Sequence, residues 1–129
     1  MKMICATALL FCLGAIAPGQ DETHLLAKYR NDLQSNRNSS ITHFRIGEIY
    51  FHQDNLQSAA NEFREALNGD LEPRWTEVWS HLNLGRIFDA SGQRDRAIDE
   101  YRRAQRTNDD TRGALEEGAM YLQSPYQRK

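Results

Sequence analysis

The chain matches itself at a fixed offset of 38 residues, and a period of that length decides the architecture before any single element is assigned. His43-Phe44-Arg45-Ile46-Gly47-Glu48-Ile49-Tyr50-Phe51 aligns with His81-Leu82-Asn83-Leu84-Gly85-Arg86-Ile87-Phe88-Asp89. The same offset carries Ala59 onto Ala97, Phe63 onto Tyr101 and Ala66 onto Ala104. Each copy reads as two helices. Leu56, Ala59, Ala60, Phe63, Ala66 and Leu67 recur at the three-and-four spacing of one helical face, with Gly69 as a stop. Asp54-Asn55 and Ser91-Gly92 are turn residues between the paired helices. Gly47 and Gly85 inside their helices each cost about 1 kcal/mol relative to Ala, which is reasonable where a neighbouring helix approaches the backbone closely.

These residues resemble the tetratricopeptide-repeat pattern, in which a large residue, Leu-Gly and Tyr mark a first helix and Ala, an aromatic and Ala mark a second. Ile46-Gly47 with Tyr50, and Leu84-Gly85 with Phe88, fill the first set; Ala59, Phe63, Ala66 and Ala97, Tyr101, Ala104 fill the second. His43 and His81 stand where the family usually carries Trp, and the period exceeds the family's 34 or so by four. The extra residues fall between Asp70 and Trp79, which predicts a first helix lengthened by about one turn. The resemblance implies an all-α fold: helical hairpins stacked in a short right-handed solenoid. A partial repeat covers 22–35, full repeats cover 40–73 and 78–111, and a capping helix on Leu115, Ala119 and Leu122 covers 112–123. These make one domain, 20–123, followed by a flexible tail, 124–129.

Residues 1–19 read as a secretory signal peptide: Lys2 precedes an uncharged run from Ile4 to Ala17, shorter than the roughly 20 residues of a bilayer span. Cleavage after Gly19 keeps Pro18 clear of the cut. Cys5 and Cys12 both lie in this segment, so the processed chain would have no thiol for a disulfide or a metal. Export to a bacterial periplasm, or secretion, is the expectation. Losing Lys2 from 16 Lys and Arg, against 18 Asp and Glu, gives a net charge of minus three, with no electrostatic reason for nucleic acid or an anionic membrane as partner.

Catalytic chemistry has no motif here. His24, His43, His52 and His81 include no pair three or four residues apart, so no helical metal site is formed, and neither a phosphate loop nor a nucleophile elbow occurs. We expect no enzyme, no metal and no cofactor. His43 and His81 are expected in packing roles.

The resemblance implies instead that first helices line a concave groove for a partner segment. Helical geometry places Phe44, Glu48 and Phe51, then Trp79, Leu82, Arg86 and Asp89, on that side. Glu48 and Arg86 match across the copies and are expected to pair. Phe44 and Leu82 replace the polar residues with which chaperone-binding members clamp a carboxylate, so that activity is not expected. The reading is a non-catalytic adaptor or assembly scaffold that binds another protein; a self-associating homo-oligomeric subunit is the alternative.

Overall fold

A computed structural model describes residues 18–129, and the expected signal peptide lies outside them but for its last two residues. Among the described residues there are six α-helices and no strand: α1 (Pro18–Ser35), α2 (Ser40–His52), α3 (Leu56–Leu67), α4 (Trp75–Ala90), α5 (Arg94–Arg106) and α6 (Ala114–Gln123), the last preceded by a 3-10 turn at Thr111–Gly113. No helix among them is long and apolar enough to cross a membrane.

Local chemistry sets the helix ends, and it repeats. The Ser39 hydroxyl accepts from the Thr42 amide at the start of α2, and the Asn55 side chain accepts from the Ser58 amide at the start of α3. Both hairpins turn through one left-handed residue at the same register, Asp54 (φ 63°) and Gly92 (φ 73°). There the Asn55 amide donates to the Tyr50 carbonyl at 2.9 Å and the Gln93 amide to the Phe88 carbonyl at 2.8 Å, satisfying last-turn carbonyls in the same Schellman pattern. The offset of 38 maps the end of α2 onto the end of α4. The start of α4 lies three residues before the register of Ser40, which is the added turn.

Packing is sequential: α2 lies on α3 and α4 on α5 most extensively, α1, α3 and α6 join them, and α2, α4 and α6 also touch one another in order. Ala59, Phe63, Ala66, Ala97, Tyr101 and Ala104 are completely buried; Phe88 is buried and Tyr50 partly so. The helical glycines answer to rings more than to alanines. A Cβ on Gly47 would sit 2.8 Å from the Phe63 ring, and one on Gly85 2.6 Å from Cδ1 of Tyr101. Gly69 is not a left-handed stop. It is small because a side chain there would run into the Asn38 carbonyl and Ser40.

The capping helix faces its neighbours differently from the expectation. Ala114 and Gly118 are its buried residues, while Ala119 is exposed. Gly118 lets α6 approach α4 and α5 closely, since a Cβ there would lie 2.8 Å from Gln105 and 3.3 Å from Leu82. Gly118 and Tyr121 repeat the spacing of Gly47 with Tyr50 and of Gly85 with Phe88, so α6 has the character of a third first helix.

Candidate partner-binding groove

Helices α2, α4 and α6 form one face of the stack, and a cavity of about 340 Å³ opens on it. Its walls are Phe44, Glu48, Phe51, Phe63, Trp75, Trp79, Asn83 and Arg86, with His52 and Arg112 at the margin. The aromatic rings are tied together: Phe44 meets Phe63 edge-on at 5.5 Å and Trp75 at 5.2 Å. Trp79 is anchored by its indole N–H, which donates to the Thr111 carbonyl at 3.0 Å.

Charge in the cavity is mostly neutralised in place. Arg45 donates to Glu48 at 2.7 Å, and Arg86 pairs with Glu117 while donating to Asn83 at 2.8 Å. The expected ion pair between Glu48 and Arg86 is therefore replaced: each finds a nearer partner, although both line the same cavity. The Arg86 guanidinium sits between the rings of Trp79, Tyr121 and Tyr126, at 5.6 to 5.7 Å from each centroid. Arg112, exposed and in the left-handed region (φ 58°), lies over Trp75 at 5.4 Å.

Of the seven residues expected in the groove, Phe44, Glu48, Phe51, Trp79 and Arg86 line the cavity. Phe44 contributes little open surface, at 3% exposure, with Phe63 and Trp75 packed against it. Leu82 and Asp89 must be removed from the list. Leu82 is fully buried because α6 lies on it at Gly118. The Asp89 side chain is 1% exposed and serves as a structural acceptor, taking the Tyr101 hydroxyl at 2.7 Å, Arg94 at 3.1 and 3.2 Å, and the Tyr126 amide at 2.9 Å.

Sequence reasoning missed His52, Trp75, Asn83 and Arg112 as cavity residues, and it gave Phe63 a packing role alone. Trp75 and Asn83 stand four residues before and after Trp79 on α4, a spacing that shares one helical face and could have found both. Arg112 belongs to the 3-10 turn ahead of α6, where the sequence suggested only the start of a capping helix.

The two histidines at the family's Trp position are joined to the second helix of their own hairpin. His43 Nδ1 meets Glu62 at 2.8 Å, and His81 Nδ1 meets Glu100 at 2.7 Å, the same pair one repeat apart. Among the described residues no group of three or more His, Cys, Asp or Glu stands together as a metal site requires.

The tail expected to be flexible is seated. Tyr126 packs edge-on against Tyr121 at 5.5 Å and lies 6.3 Å from Phe51, and Arg128 reaches Asp54 at 2.9 Å. These contacts carry residues 124–129 from the end of α6 back to the end of α2.

Stacked hairpins with a concave aromatic cleft define a helical-repeat protein of the interaction class. The tetratricopeptide-repeat family model matches residues 80–111, which span most of α4 and all of α5, so this hairpin is a repeat of that family's kind. No curated protein matches the chain.

Proposed function

We propose that this protein is an adaptor or assembly scaffold of a bacterial cell envelope that holds an extended or helical segment of another protein in the cleft between α2 and α4. Tetratricopeptide repeats are protein–protein interaction modules, and the family supports that much directly. The observation that carries the finer reading is the cleft itself. Five aromatic side chains line it, and three of them, Phe51, Trp75 and Trp79, are partly exposed. Large rings left partly open on a concave surface are the usual anchors of an interface. Arg112 at the rim, with no carboxylate in ion-pair contact among the described residues, adds a donor that suits a polar or acidic group on the segment.

Export rests on the sequence of residues 1–19, with processing near Gly19. Intact mass of the protein from the envelope fraction tests it: a mass lacking those residues supports the assignment, and the full 129-residue mass in the cytoplasm ends it. Binding is tested by capture from envelope extract on the immobilised chain. Proteins held by the wild type and released by Phe51→Ala support the cleft, and equal capture by both removes it.

A further inference from the structure

Tyr126 and Arg128 lie against the same face that carries the cleft, and their contacts are specific. The Tyr126 amide donates to the buried Asp89 carboxylate at 2.9 Å. Its ring rests between Tyr121 and Phe51 and beneath the Arg86 guanidinium. Arg128 then donates to the Phe51 carbonyl at 2.7 Å, pairs with Asp54 at 2.9 Å and covers the Phe51 ring at 4.7 Å. The carbonyl it takes belongs to the last turn of α2, where the helix dipole favours a cation. An aromatic side chain, a main-chain N–H and a basic side chain two residues later thus fill a ready seat.

We propose that this seat is a recognition site for an extended protein segment with an aromatic residue two positions before a basic one, and that the chain's own Tyr126 and Arg128 occupy it until such a segment displaces them. The proposal rests on the groove reading above and gives it a partner chemistry. Only Ser124 and Pro125 tether Tyr126 to α6, and a tether so short supplies an effective concentration on the order of millimolar or more. Weak intrinsic contacts therefore suffice to seat the tail. A partner prevails by joining the same seat to the aromatic cleft beside it, where Phe51 is a wall of both.

The probe is a labelled, amidated hexapeptide with the sequence of residues 124–129, titrated by fluorescence anisotropy into the full chain and into the full-chain variant Tyr126→Ala/Arg128→Ala. The variant, its seat vacated, binds the hexapeptide at least about tenfold more tightly than the wild type. A hexapeptide with Ala in place of its Tyr shows no such gain. Equal binding to both chains, or no binding to the variant, overturns the proposal. A second measurement uses the unaltered chain: the Tyr126 amide exchanges slowly with solvent, and excess hexapeptide speeds that exchange. Fast exchange without peptide also overturns it. Neither assay needs an external partner, so their failure falls on the tail seat alone. An envelope extract that yields no cleft-dependent partner falls on the groove reading.

Discussion

The Tyr101 hydroxyl donates to Asp89 at 2.7 Å, and the matching positions one repeat earlier are Phe63 and Phe51. A polar pair in one hairpin thus replaces an apolar pair in the other, and both members change together. Tyr101→Phe removes a donor from a carboxylate that keeps Arg94 and the Tyr126 amide. The expected loss is about 1.5 kcal/mol, at the low end for hydrogen bonds to charged groups, measured by denaturant unfolding near neutral pH.

The same pair predicts an alkaline dependence. Burial first, and then donation to Asp89, push the ionisation of Tyr101 up from the ordinary tyrosine value of 10. The unfolded chain releases that proton near pH 10 and the folded chain holds it, so the stability is fully present below about pH 10 and is lost as pH rises beyond it. Burial moves Tyr121 in the same direction. Unfolding free energy measured from pH 9 upward should fall more steeply for the wild type than for Tyr101→Phe. Parallel curves would show that Tyr101 ionises as freely folded as unfolded.

Gly85 and Gly47 meet the same kind of ring with different freedom. Tyr101 is pinned by its hydroxyl, whereas Phe63 has only apolar contacts. Gly85→Ala is expected to cost about 1 to 3 kcal/mol, and Gly47→Ala less. Thermal melts rank the two, and the reverse order would place the tighter contact in the first hairpin.

The His–Glu pairs give an internal comparison. Glu62 is 24% exposed beside His43, and Glu100 is 12% exposed beside His81. Double-mutant cycles to alanine should give couplings of about 0.5 to 3 kcal/mol, larger for His81 with Glu100 than for His43 with Glu62. No coupling in either hairpin would make these contacts incidental to packing.

Much of this was legible in the sequence because the repeat is carried by backbone-limited positions. Gly47 and Gly85, and the turn residues Asp54 and Gly92, have few alternatives, so the offset exposes them. The cleft was legible only in part. Helical spacing identifies a face but not its cover, and it could not show that α6 closes over Leu82 or that the tail lies above Asp89. Glu62 and Glu100 were within reach, because the offset that matches His43 with His81 also matches these two carboxylates. Gly118 and Tyr121 were within reach, because their spacing repeats that of Gly85 and Phe88.

Binding of a protein segment by the aromatic walls of the cleft between α2 and α4 is read by calorimetric titration of a captured partner against the wild type, Phe51→Ala and Arg112→Ala, with a thermal melt of each chain. Phe51→Ala should weaken binding by about 2 kcal/mol or more, as loss of an aromatic anchor does, and Arg112→Ala by less, with all three chains melting as folded proteins. Undiminished affinity in a folded Phe51→Ala chain would contradict the account and move binding away from this face.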